Sequence, residues 1–376
     1  MEMVQLKWEA ALSSTPRVFN AVDVWHHCAK MARQFMRGWG ANLGADIRQK
    51  KECILREIQT MDIVSDSIGL SAEEWLRRYA LENSLMEIYK GEELFWRQRS
   101  RQNWLLKGDA NTAYFHAIAN GRRRKCSIPY LWEGDHLLEE ARDISSHIYS
   151  FYKELFMAAP RTGVALSPNF WPDGARVTDD ENAELTLPFL PEEVARAVMD
   201  MKANSAPGPD GLPVVFFQKF WEKIRGVVMP MFQEFYIGTL VMSRLNFGVV
   251  TLIPKVLGAT DIRKFRPITV INVIQRIFSK VCATRVAPVM ERLTHPYQFA
   301  FLKGRYIHDG ILALHEIIHE VKVKHQKCVF LKLDFQKAYD RLDWSFLRQV
   351  LQRRGVDDRM ICWIMQIVVS GNTATI

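Results

Sequence analysis

Three clusters in this chain hold residue types that could do chemistry. The first is the stretch 329–343, VFLKLDFQKAYDRLD. Its left half is apolar and rich in strand formers, and it ends at Asp334. A strand there would hold a carboxylate rigidly at the rim of a sheet, which is what a Mg²⁺ ion needs: a hard oxygen ligand on a stiff support. The same pattern also fits an aspartate that caps the following turn or helix. The second cluster is His315-Glu316 with His319, an HExxH spacing that places two imidazoles on one helix face beside a general base, as in zinc proteases, with His325 six residues on. The third is a basic and aromatic segment. Between positions 97 and 125 lie Arg97, Arg99, Arg101, Lys107, Arg122, Arg123, Arg124 and Lys125, against the single acid Asp109. Arginine forks pair with phosphates and aromatic rings stack on unpaired bases, so this segment points to nucleic acid; a solvated helix face followed by a basic loop is the plainer alternative.

The elements that would position these clusters follow from periodicity. Residues 20–100 read as long helices, with Ser71 and Glu74 spaced as a capping box. A hairpin turning at Glu133-Gly134-Asp135 and a helix to about residue 156 come next, and the Pro- and Gly-containing stretch 157–186 reads as a linker. Pro191 with Glu192 and Glu193 opens a helix. Residues 206–213 form a rigid turn, an amphipathic helix follows, and 249–255 and 265–271 read as strands. Helices are expected over 274–292, 311–324, 345–353 and 359–369, with the strand ending in Asp334 among them. Strands and helices alternate without a regular βαβ period, which is an α+β pattern.

Bulk properties set the class. The 376 residues carry a net charge of +8 and are 48% hydrophobic, an ordinary globular composition that permits a polyanionic partner. Six scattered cysteines without a CxxC pair argue against a zinc finger or a disulfide scaffold and suit a reducing compartment. The charged first thirty residues lack a signal-peptide core, and the best apolar run, 360–369, is too short to span a membrane and contains Gln366. The expectation is an intracellular chain, nuclear or cytoplasmic, with no membrane partner.

In order along the second half stand APGPDG (206–211), LIPK (252–255), FRPI (265–268), QFAFLKGR (298–305) and LKLDFQKAYD (331–340). This ordered set resembles the reverse transcriptases of non-LTR (LINE-type) retrotransposons, especially those of plants. FWRQRSR (95–101) and WLLKGDANT (104–112) are similar to the segment joining endonuclease to polymerase in such elements. Periodicity and composition divide the chain into a helical region (1–92), a basic and aromatic segment (93–156) and a linker (157–186), and the resemblance, which covers roughly residues 90–376, makes 187–376 the fingers and first part of the palm of a right-hand polymerase within this α+β chain. It makes Asp334 the first metal-binding carboxylate, with the Phe335 carbonyl as a secondary Mg²⁺ ligand. Lys255 and Arg266 would hold the incoming deoxynucleoside triphosphate. Tyr339 would crowd the sugar 2′ position, packing under the sheet being the alternative, and Gln298 and Arg305 would line the template–nucleotide pocket. The partners implied are an RNA template and a DNA primer. Asp340 and Asp343 read as turn or cap residues.

The departure from that family is equally specific. Its palm takes further carboxylates from a Tyr-x-Asp-Asp hairpin well beyond the first aspartate, whereas 42 residues follow Asp334 here. Of the two Asp-Asp pairs, Asp179-Asp180 lacks the preceding aromatic and Asp357-Asp358 reads as a helix cap. The expectation is an interior fragment without its second catalytic motif or thumb, inactive alone. Two rivals remain: a nucleic-acid-binding remnant without catalysis, and a zinc protease, for which the position that should be a chain-reversing Gly is Lys322.

Overall fold

The computed structural model describes residues 2–16, 19–100, 112–125, 128–156, 165–333 and 342–375. In chain order these form α1 (Glu2–Ser13), α2 (Ala21–Ile68), α3 (Ala72–Ser100), α4 (Thr112–Lys125), β1 (Leu131–Glu133), β2 (His136–Leu138), α5 (Ala141–Phe156), α6 (Asp179–Leu185), α7 (Pro191–Met199), α8 (Val214–Tyr236), β3 (Phe247–Pro254), β4 (Phe265–Ile271), α9 (Val273–Leu293), α10 (Ile307–Val323), α11 (Trp344–Arg353), α12 (Asp358–Val369) and β5 (Asn372–Thr375). They group into two compact units, one of residues 1–7, 31–144 and 252–268, the other of 8–30, 145–251 and 269–376.

In the first unit, α2 and α3 run as an antiparallel pair held by Lys51–Glu92 and Arg78–Asp62 ion pairs and by Arg77 with Glu57. The expected capping box is present: the Ser71 backbone N–H donates to Glu74, and the Glu74 N–H donates to the Ser71 hydroxyl. α4 packs along α3. β1 and β2 form the short hairpin, with Gly134 at φ +60, a conformation glycine adopts without a Cβ clash.

The second unit has the larger core. Phe217, Phe220, Ile224, Val228, Met231, Phe232 and Phe235 recur at helical spacing along α8 and are buried. Phe232 stacks on Phe278 of α9 with ring centroids 4.1 Å apart, and Phe235 packs on Trp363 of α12 at 5.9 Å. Trp8 and Trp25 close the other end of α8 against Phe216 and Phe217. Asp343 and Asp357 cap α11 and α12 through the Phe346 and Arg359 N–H groups, as their sequence positions suggest.

The three-stranded sheet has the order β4-β3-β5. β3 and β4 are antiparallel, since Lys255 N–H bonds Lys264 O at one end and Asn272 N–H bonds Phe247 O at the other. β5 joins β3 in parallel, Phe247 opposite Asn372 and Val250 opposite Thr375. The strand expected before Asp334 is not formed. Residues 328–333 carry no regular secondary structure, and Val329 and Leu331 are 92% and 80% exposed. A strand needs a ladder partner for its N–H and C=O groups, and none pairs with this run among the described residues.

Candidate functional site

Lys255 and Arg266 come together as parts of one hairpin. The apolar alternation of β3 ends at Pro254, which has no N–H to extend the ladder, and Lys255 is the first residue of the connection. Its backbone N–H donates to Lys264 O at 2.8 Å, and its exposed Nζ reaches Arg263 O at 3.1 Å. Asp261 caps the short turn before β4 by accepting from the Arg263 N–H, and it forms a bidentate pair with the Arg263 guanidinium (2.7 Å from Nη2). Those Arg263 bonds hold the Asp261 carboxyl below its ordinary range. With Arg263 so neutralised, Lys255, Lys264 and exposed Arg266 are cations without an ion-pair partner among the described residues. The connection is tied down where Trp132 N–H donates to Thr260 O at 2.8 Å. A short connection that exposes Lys255, followed by exposed Arg266 at the start of β4, suits a polyphosphate.

The other end of the hairpin is fixed by the 206–212 turn. A Cβ on Gly208 would lie 2.4 Å from the Asn272 Cα, so only glycine allows this approach. Buried Asn272 accepts from the Asp210 N–H at 3.1 Å through Oδ1, and Arg276 donates to Ala206 O and Ser205 Oγ. Asn272 was not singled out in the sequence; its position just beyond a strand, where a buried amide can cap a turn, was the available signal.

Gln298 and Arg305 also meet, but through the backbone. The Arg305 guanidinium donates to four carbonyls, His295 at 2.7 Å, Gln298 at 3.0 Å, Glu291 at 3.1 Å and Thr294 at 3.3 Å, which clamps the turn after α9. Gln298 itself is exposed on that turn. Asp334, Phe335, Tyr339 and Asp340 lie outside the described residues, as do Arg101 and Lys107. Arg97 and Arg99 occupy the last turn of α3, with Arg99 stacked over the Phe95 ring, 3.3 Å from its centroid. Arg122, Arg123, Arg124 and Lys125 end α4, their side chains outside the described residues.

His315, Glu316 and His319 lie exposed on α10. The helix runs on to Val323, and His325 leaves it with φ 49, in the left-handed region. Among the described residues no three His, Cys, Asp or Glu side chains come together to hold a metal ion.

Residues 253–375 match the family described as "Reverse transcriptase (RNA-dependent DNA polymerase)". The chain is 28% identical over 309 residues to the "Transposon TX1 uncharacterized 149 kDa protein" of Xenopus laevis, covering 81% of this chain and 23% of that protein. It is 29% identical over 175 residues to a "Retrovirus-related Pol polyprotein from type-1 retrotransposable element R2" of Popillia japonica, covering 46% of this chain and 23% of that one. A "Probable RNA-directed DNA polymerase from transposon X-element" of Drosophila melanogaster is 24% identical over 161 residues, 41% of this chain and 17% of its own length. The chain therefore spans less than a quarter of each of these relatives. The matched stretch is thus similar to reverse transcriptases, and these relatives are proteins of non-LTR retrotransposons.

Proposed function

We propose that this chain forms the fingers and the first part of the palm of an RNA-directed DNA polymerase, which in the whole protein copies an RNA template into DNA from a primer 3′-hydroxyl. The observation that carries this reading is the β3–β4 hairpin, where Lys255, on a short connection tied to Trp132, and Arg266, at the start of β4, stand exposed with no ion-pair partner among the described residues. Lys255 supplies a point charge and Arg266 a bidentate fork for the triphosphate of a deoxynucleotide. Arg305 holds the turn that presents Gln298 to the template–nucleotide pocket. Tyr339 selects against a ribose 2′-hydroxyl. The basic residues of α3 and α4 and of the segment between them grip the nucleic-acid backbone.

Asp334 and the Phe335 carbonyl are hard oxygen donors of the kind Mg²⁺ takes, and they would hold it. Bound there, the ion would neutralise charge on the phosphates and lower the pKa of the primer hydroxyl. A two-metal site takes more than one carboxylate, and Asp334 is the one the motif order supplies. The residue ranges 1–92, 93–156, 157–186 and 187–376 are part of the same proposal.

The test is RNA-templated primer extension by the whole protein carrying Asp334→Ala. Extension should fall at least on the order of a hundredfold while RNA affinity is retained. Extension persisting above a few per cent of wild type would remove Asp334 from the metal site.

A further inference from the structure

The helical pair α2–α3 encloses a cleft of about 720 Å³. Gly40 and Gly44 of α2 and Gly91 of α3 line it, and Ile47, Ile88, Phe95 and Trp96 supply the apolar side chains of its wall among the described residues. Glycine weakens a helix interior relative to alanine, so three at one place need a reason. Tight packing is not that reason among the described residues: a Cβ built on any of the three meets nothing of theirs within 4 Å. What the glycines leave is open space beside two aromatic rings.

The charge around that space is one-sided. Two carboxylates line it, but Glu92 is bound by Lys51 at 2.8 Å and Glu87 by Lys90 at 2.7 Å. Arg48 and Lys50 also line the cleft, and Arg97 and Arg99 follow on the next turn of α3. None of these four cations has a carboxylate partner among the described residues. An apolar, ring-walled slot with unopposed cations at its rim matches one chemistry: a flat unpaired base inserted and its phosphates held outside.

We infer that the α2–α3 cleft is a slot for a single unpaired base of RNA, stacked on the Phe95 ring opposite Arg99, with the Trp96 ring at 82° to it as a side wall, and with flanking phosphates on Arg48, Lys50 and Arg97. The slot rests on the reading that this protein handles RNA, and it assigns to the long helices a role beyond scaffolding. A duplex keeps its bases stacked and paired, so the slot favours single strands.

The test uses the full chain and fluorescently labelled single-stranded and duplex RNA 15-mers, with Gly91→Leu to fill the slot and Phe95→Ala to remove a stacking face. Both variants should bind the single strand ~10-fold more weakly and bind the duplex as wild type does. An abasic single strand should bind wild type ~10-fold more weakly and should not distinguish wild type from Phe95→Ala. Phe95→Ala creates no steric conflict at this exposed position, so it decides the matter if Gly91→Leu fails to fold. If wild type binds single strands and both variants match it, the slot is excluded while the reading of RNA handling stands. If wild type binds no RNA, both fall. Displacement of an apolar helical peptide by Gly91→Leu, with RNA binding unchanged, would assign the cleft to a protein partner and overturn the inference.

Discussion

Residues 249–253 and 329–333 are both runs of strand-forming residues placed just before a charged side chain of the proposed site, yet only the first becomes a strand. The first pairs with β4 across a connection of ten residues, and its far side receives β5. The cost of closing that short connection is small, and the ladder satisfies its backbone groups at once. The second run has a comparable composition and no ladder, and its side chains stand exposed. Strand propensity is thus permissive: a partner strand decides the outcome.

If the contrast is one of packing, substitutions on the two sides should differ sharply. Phe232→Ala removes a ring stacked on Phe278 in the buried core and should cost roughly 3–5 kcal/mol in a denaturant titration of the second unit. Asn272→Ala leaves the Asp210 N–H at the hairpin base without its side-chain acceptor and should cost about 1–3 kcal/mol by the same measurement. Leu331→Ser touches an exposed residue and should shift stability by no more than about 0.5 kcal/mol. A loss from Leu331→Ser as large as that from Phe232→Ala would mean the run 329–333 is paired in solution and would dissolve the comparison.

Much of this arrangement was legible in the chain itself. Helical periodicity located α8 and α9, Ser71 with Glu74 marked the start of α3, and the aspartates at 343 and 357 read correctly as caps. The motif order led to Lys255 and Arg266, and their hairpin is made of local contacts. What was not legible depends on long-range placement. The parallel pairing of β5 with β3 joins residues more than a hundred positions apart. The donation of Arg305 to four carbonyls and the approach of Gly208 to Asn272 are set by tertiary geometry that composition does not encode. The strand before Asp334 was misread for the converse reason, its local signal being strong and its partner absent among the described residues.

The most direct measurement is photo-crosslinking of an azido-deoxynucleoside triphosphate to the hairpin in the presence of Mg²⁺, followed by peptide mapping. The label should fall within residues 255–266 and drop by about tenfold or more in Lys255→Ala/Arg266→Ala, the loss expected when charge-assisted phosphate contacts are removed. Undiminished labelling in that double variant would contradict the account.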